Sequence, residues 1–391
     1  MASPIDVLRS SPRAPFVEAP TPRAHRSAPI VPAFDAAASA YGQQTGRAST
    51  TSGPAQLAQV VAKDFEVSPE QQRFERMMRT DTKLFVNPTK SRTNCSECAI
   101  ALDRRFGGDM SAVARDEAIS AHGGDPIVGM LAELERPEVH AKLIGDDEPD
   151  PQLVALRAGD ITFADLRAGG RAKIEAAIET LRSTDFTEDS SAAERAVADV
   201  AALPHVVLMG RHNAEDYSIQ EVARRLGRPS EDIEQFASKE SGLWAQIPLF
   251  DVEGFNAEQL IPVARRSGVA EALDKRICAM KTNERAVLSF LAVSPDGHVH
   301  AHLLNVVKPN TTRPLPGGGS FTMGPDEFIV DGQLGHVYEL DAFLRFTYPN
   351  LLYAELLPTG TEVHDGKNLA LFRTLRGGAI ETQEALRWAA W

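Results

Sequence analysis

The stretch AVLSFLAVSPDGHVHAHLLNVV, residues 286–307, decides the fold class of this chain. It holds two runs of apolar and β-branched residues separated by a Ser-Pro-Asp-Gly cluster, a pattern typical of two antiparallel strands joined by a turn. Similar runs follow at EFIVDGQLGHVYEL (327–340) and LRFTYPNLLYAELL (344–357). We therefore expect the C-terminal part of the chain to form a mostly antiparallel sheet.

The chain before this sheet has the periodicity of helices. In GGRAKIEAAIETLRS (169–183), Ile174, Ile178 and Leu181 recur at helical spacing, and much of the region from 110 to 280 behaves in the same way. Helices that precede strands along a chain indicate an α+β architecture rather than alternating α/β units. The fold class predicted from the sequence is thus α+β.

Residues 1–55 differ in composition from the rest of the chain. They carry eight prolines and only three acidic residues, and they show no apolar periodicity. Such a segment buries too little apolar surface to offset its ordering entropy, so we expect it to be disordered. Two interpretations stay open, a flexible linker and an unfolded export signal.

Charge and hydropathy exclude some classes of function. The net charge of −13 makes general nucleic-acid binding an unfavourable interpretation, because an acidic surface repels phosphate. The stretch SIQEVARRLGRPSEDIEQF (218–236) resembles a helix-turn-helix, but its second half is acidic, and we interpret it as a helical element instead. We also expect no membrane span and no cleavable signal peptide, because no apolar run is long enough and the N-terminus lacks an apolar core.

The stretch NCSECAIALDRRFGG, residues 94–108, is strongly marked as a helix. Asn94 can cap its start, Glu97 stands where a capping-box partner would, and two glycines end it. Cys95 lies at the tip, where unpaired backbone N–H groups and the helix dipole lower a thiol pKa and can receive an oxyanion. Cys98 lies one turn deeper on the apolar stripe, and we interpret it as a buried structural residue.

The three cysteines permit other interpretations. Cys95, Cys98 and Cys278 are too few, and odd in number, for a disulfide framework. A zinc site needs about four ligands, and the sequence has no second CxxC and no HxxxH pair. A thioredoxin-like pair is expected in a βαβ context, whereas this CxxC opens a helix after a Pro-Asn approach. A nucleophilic cysteine is therefore the preferred interpretation.

A histidine strand and an aspartate strand supply partners for such a nucleophile. His298, His300 and His302 alternate on one predicted strand face, and His302 is the last before that face turns apolar. The next strand, FIVDGQ, is predicted to present Asp331 and Gln333 on a shared face. Asp331 could accept the imidazole N–H of His302 and so fix its tautomer.

At this point the residues resemble the papain-fold toxins of the glutamine-deamidase type, found among bacterial polymorphic toxins and effectors. Three stretches carry the resemblance: VNP…NCSECAIALDRRFGG (86–108), HLLNVV (302–307) and FIVDGQLG (328–335). The resemblance implies a Cys95–His302–Asp331 triad in a papain-like core. It also implies oxyanion or substrate-binding roles for the side chains of Gln333, Asn87 and Asn94.

A departure from the family pattern, together with the composition of the N-terminal segment, predicts a domain organisation. More than half of the chain separates Cys95 from His302, which predicts an inserted helical subdomain. We expect a disordered segment at 1–55, a first part of the core at 56–110, a helical insertion at 111–280 and the sheet of the core at 281–391.

The expected activity is hydrolysis of a protein glutamine side chain through a thioester. The substrate would be a host or competitor protein reached through a dedicated secretion system, and no metal or organic cofactor is implied. Three alternatives remain: a cysteine protease, a transglutaminase-like acyltransferase with the same triad, and a non-enzymatic effector that binds a host protein.

Overall fold

The fold is described here from a computed structural model. It describes residues 79–80, 85–91, 94–115, 136–137, 140, 150–216, 218–247, 257–293, 299–308, 312–314, 320–322 and 327–361. The predicted disordered segment 1–55 and His298 lie outside the described residues.

Seven strands form one antiparallel sheet in the order β1-β8-β7-β4-β3-β9-β2, and two short strands, β5 and β6, pair separately. The strands are β1 Arg79–Thr80, β2 Glu234–Phe236, β3 Arg285–Val293, β4 Val299–Val307, β5 Thr312–Pro314, β6 Ser320–Thr322, β7 Phe328–Asp331, β8 His336–Glu339 and β9 Leu351–Gly360.

Helices precede and cover this sheet, as the sequence predicted. They are α1 Cys95–Phe106, α2 Pro151–Ala158, α3 Phe163–Ser183, α4 Ser191–Ala201, α5 Pro204–Asp216, α6 Ile219–Arg225, α7 Lys239–Trp244, α8 Ile261–Arg266, α9 Val269–Cys278 and α10 Leu340–Ala342. Two 3-10 turns, Ser230–Asp232 and Ala257–Leu260, and a π-helix at Phe343–Thr347 complete the described elements. The mixture of helix and antiparallel sheet confirms the α+β class.

The two faces of the sheet pack against different helices. Side chains alternate along β4, so His302 and Leu304 lie on one face, while Leu303 and Asn305 lie on the other. We call the first the α9 face, because α9 packs there against Leu304 and its neighbours. We call the second the α1 face, because the Asn305 amide donates to a backbone carbonyl of α1. Every residue of β3 is buried, as expected for a strand that is covered on both sides.

The region 111–280 packs directly on the sheet and adds a strand to it. Its helices share an apolar core with Leu291 and Val299 of the sheet. Its strand β2 pairs with β9 at the sheet edge. The prediction of helix through 230–236 is wrong at this strand. Gly227, in the left-handed conformation, follows α6, and the next residues gain backbone hydrogen bonds by joining β9.

None of the helices in the described part of the chain is both long enough and apolar enough to cross a membrane.

Candidate active site

Cys95 is the first residue of α1 and is 2% exposed. The helix ends where the sequence predicted, with the N–H of Gly107 donating to the carbonyl of Asp103 over 2.8 Å. Cys98, Leu102 and the C-terminal Phe106 are all buried on the stripe that meets the sheet. The predicted helix and its apolar face are therefore confirmed.

The predicted capping box of α1 is wrong. The Asn94 side chain accepts no hydrogen bond from a backbone N–H of the first turn of α1. Glu97 instead receives hydrogen bonds from Arg225 of α6, at 2.7 Å, and from Arg115, at 3.3 Å. Burial alone would raise the pKa of Glu97, but these two guanidinium groups hold it below its ordinary value. Arg225 and Arg115 bind the Glu97 carboxylate in place of a backbone N–H, because a guanidinium adds its own positive charge to the hydrogen bond and can contact both carboxylate oxygens.

His302 and Asp331 form the pair that the sequence predicted. The Nε2 of His302 lies 2.9 Å from Oδ2 of Asp331. The other carboxylate oxygen accepts the backbone N–H groups of Gln333, at 2.8 Å, and Leu334, at 3.0 Å. These backbone bonds form a turn directly after Asp331, so β7 ends there and the predicted continuation of the strand to Gln333 is wrong.

The electrostatics of this pair favour one tautomer of the imidazole. Burial by itself would raise the pKa of Asp331, but the charge and hydrogen bond of His302 and the two backbone hydrogen bonds lower it below its ordinary value. An ionised carboxylate only accepts hydrogen bonds, so this contact favours the tautomer with the proton on Nε2 of His302. The Nδ1 lone pair is then left to take a proton, which is the arrangement that a general base needs.

Aromatic and polar side chains surround Asp331 on the α9 face. The His302 ring lies edge-on to Phe290, with centroids 6.4 Å apart. His336 stands directly opposite Asp331 on β8, and its Nδ1 is 3.1 Å from the hydroxyl of Tyr338. His336 and Tyr338 were not predicted from the sequence. Their alternation along HVYE, in register with Asp331, is the signal that could have found them.

Gln333, Asn94 and Asn87 are buried and hydrogen-bonded to one another. The Gln333 Nε2 donates to Oδ1 of Asn94 over 3.1 Å and to the carbonyl of Ser91 over 3.2 Å. The Asn94 Nδ2 donates to Oδ1 of Asn87 over 2.9 Å. A side-chain amide has two N–H donors, and both of those on Gln333 are engaged inside the protein. The structure thus places these three residues together, joined by hydrogen bonds made inside the protein.

Cys95 lies on the other face of the sheet from the histidine pair. It belongs to a buried apolar cluster that includes Leu303 of β4 and Ile219 of α6. His302, next to Leu303 on the strand, points to the α9 face. The structure brings His302 and Asp331 together, and it connects their turn to the start of α1 through Gln333. It does not bring the Cys95 side chain to the α9 face.

The remaining candidates are placed as follows. His300 shares the face of His302, and its ring centroid lies 5.7 Å from that of Tyr348. Cys98 is buried, with its sulfur 3.5 Å from Oδ1 of Asn94. Cys278 is exposed on α9, where partial burial and then Asp274 raise the pKa of its thiol. Within the described ranges, no three His, Cys, Asp or Glu side chains are grouped so that they could hold a metal ion.

Comparison of the chain with protein-family models, with curated proteins and with solved structures finds no match. The functional assignment therefore depends on the site itself: a buried, ionised carboxylate that orients an imidazole, and a cysteine at the start of a helix bound to the same turn.

Proposed function

We propose that this protein is a cysteine-dependent amidohydrolase with a papain-like core that deamidates a glutamine side chain of another protein. The observation that carries the proposal is the 2.9 Å contact between His302 and the buried Asp331, which leaves the Nδ1 of the ring available as a base. Cys95 is the proposed nucleophile, because it stands at the first position of α1.

The reaction proceeds in two balanced steps. The Cys95 thiolate attacks the carboxamide carbon, and the oxyanion is received by the N–H groups of the first turn of α1. His302, which has taken the thiol proton, returns it to the departing ammonia, and a thioester remains. Water then gives a proton to His302 and attacks the thioester carbon. Cys95 is released as thiol and the substrate as glutamate.

Access to the nucleophile is part of the proposal. With 2% exposure among apolar neighbours, the Cys95 thiol cannot meet a protein side chain while α1 keeps this position. We therefore include a movement at the start of α1, which accompanies substrate binding and brings the sulfur to the His302 ring.

The toxin role follows from the proposed chemistry. Conversion of a glutamine to a glutamate places a negative charge at the target position, which disables a catalytic or interface glutamine. The proposed target is a protein of a host or a competitor cell, and a dedicated secretion system delivers the chain.

Mass spectrometry tests this proposal against its alternatives. Candidate target proteins are incubated with the purified chain and, in parallel, with the Cys95→Ala variant. We expect an amide-to-acid mass change at one glutamine of an intact target with the wild-type chain alone. Cleaved targets would indicate a protease, and incorporation of an added amine would indicate a transglutaminase. Binding without any change in mass would contradict an enzymatic function.

A further inference from the structure

Gln333 connects two parts of the candidate site. Its backbone N–H donates to the Asp331 carboxylate over 2.8 Å and so helps to orient the group that holds His302. Its side-chain amide reaches in the other direction, to Oδ1 of Asn94 over 3.1 Å and to the carbonyl of Ser91 over 3.2 Å. Gln333 thus contacts both Asp331 and Asn94, the residue directly before α1.

Asn94 and Asn87 complete this connection. The Asn94 Nδ2 donates to Oδ1 of Asn87, and the Asn87 Nδ2 donates to the carbonyl of Ser91 over 2.7 Å. The backbone carbonyl of Asn94 accepts the N–H of Cys98 over 2.9 Å, a bond of the first turn of α1. Asn94 is 0% and Asn87 1% exposed, so water cannot replace a lost partner at either amide.

Close packing reinforces the hydrogen bonds between the Asp331 turn and α1. A Cβ atom at Gly332 would lie 3.0 Å from Cγ2 of Val86 and 3.2 Å from Cδ2 of Leu102. The carbonyl of Gly332 also accepts the N–H of Val86 over 2.9 Å. The turn at Gly332 therefore packs closely against Val86 and α1, and a larger residue at this position would force these neighbours to shift.

We propose that Gln333 and Asn94 are positioning residues, which fix the place of the His302–Asp331 pair relative to the first turn of α1. This inference rests on the proposed function and deepens it. It replaces the substrate-binding role expected for these amides, because both N–H donors of Gln333 are already engaged. Loss of the connection would leave the Asp331 turn and the start of α1 able to shift relative to each other, and a displacement of about 1 Å near a reacting group costs about 100-fold in rate.

The test uses the full-length chain with Gln333→Met, which keeps the volume of the side chain and removes its amide. Ammonia release from N-benzyloxycarbonyl-glutaminyl-glycine gives kcat and KM. Iodoacetamide alkylation across pH, resolved by peptide mapping, gives the pKa of Cys95. We expect kcat to fall about 100-fold with KM nearly unchanged, and the pKa of Cys95 to rise. Gln235→Met is the matched control, since Gln235 donates its amide to Glu355 at the far edge of the sheet, and it should change neither quantity.

The outcomes separate the two proposals. An unchanged kcat and an unchanged alkylation profile in a folded Gln333→Met variant would overturn the positioning role. A wild-type chain that releases no ammonia, but whose Cys95 pKa rises on Gln333→Met, would refute deamidation of this probe and uphold the connection. If Gln333→Met does not fold, Gln333→Asn is used instead, because it keeps the amide on a side chain that is one methylene shorter. Its kcat should lie clearly below that of the wild type, and wild-type values would overturn the proposal.

Discussion

The Asp331 carboxylate accepts hydrogen bonds from His302 and from two backbone N–H groups in the turn that follows it. Together these bonds lower its pKa although the group is buried. Its role in the proposed reaction is to hold the imidazole in the tautomer with a free Nδ1.

Asp331→Asn tests this role at the level of one residue. The amide can keep the shape of the site, but it can also donate to Nε2 and so stabilise the wrong tautomer. We expect kcat for ammonia release to fall by about 10⁴-fold while the fold is retained. His300→Ala, on the same face of β4, is the control and should cost much less. A fall in kcat for Asp331→Asn no larger than that for His300→Ala would contradict the assignment.

A double variant tests whether Cys95 and His302 serve one reaction. Residues that act as a unit show non-additive losses of rate. Once one of them has been removed, removal of the second lowers the rate little further. Cys95→Ala/His302→Ala should therefore be scarcely slower than Cys95→Ala alone, as measured by ammonia release. This measurement is informative because the Cys95 and His302 side chains lie on opposite faces of the sheet. Losses that multiply would show that they serve separate roles.

Helix α1 is attached to the rest of the molecule at both ends by ionic contacts. Near its start, Glu97 pairs with Arg225 of α6. Near its end, Asp103 lies 3.0 Å from the Nε of Arg285 on β3 and also accepts the hydroxyl of Thr359 on β9. These contacts connect the helix that begins with Cys95 to α6, β3 and β9.

Asp103→Ala tests the anchor at the end of α1. It leaves the guanidinium of Arg285 buried without its carboxylate, and removal of one partner from such a pair costs about 3–5 kcal/mol. We expect the free energy of unfolding in urea to fall by about that amount. Glu175→Ala removes an exposed partner of Arg171 and should change stability by less than about 0.5 kcal/mol. Equal effects of the two substitutions would contradict the burial argument.

At the scale of the whole molecule, the core of the helical region contains a buried histidine. His205 of α5 is 0% exposed, and neither ring nitrogen has a hydrogen-bond partner among the described residues. The ring packs edge-on to Phe163, and a Cβ at Gly170 would lie 2.5 Å from its Cε1. Burial, with a smaller contribution from the charge of Arg167, lowers the pKa of His205 to about 4.

The lowered pKa of His205 predicts a loss of folding stability in weak acid. A pKa lowered from 6.5 to about 4 means that the unfolded chain binds the proton first as the pH falls through 6.5. The free energy of unfolding should therefore drop by about 2 kcal/mol between pH 7 and pH 5, and continue to drop toward pH 4. In His205→Leu this part of the pH dependence should disappear in urea titrations at the two pH values. His140→Leu, at a less buried site, should keep it. A wild-type pH dependence in His205→Leu would contradict the prediction.

Local patterns in the sequence were sufficient to predict the α+β class, the bounds of α1 and the pairing of His302 with Asp331. A helix stripe or a strand alternation depends on residues a few positions apart, so periodicity shows it directly. The contact between His302 and Asp331 could also be predicted from the sequence, because β4 and β7 are neighbouring strands and the two side chains lie on one face.

The tertiary structure alone decided the partners of Glu97 and Asn94, the strand at 234–236 and the sheet face that α1 covers. Glu97 meets Arg225, and Asn94 meets Gln333, only because packing brings together parts of the chain that are far apart in sequence. Residues 234–236 form a strand because the edge of β9 offers them backbone hydrogen bonds. Contacts of this kind depend on long-range packing, which local periodicity does not encode.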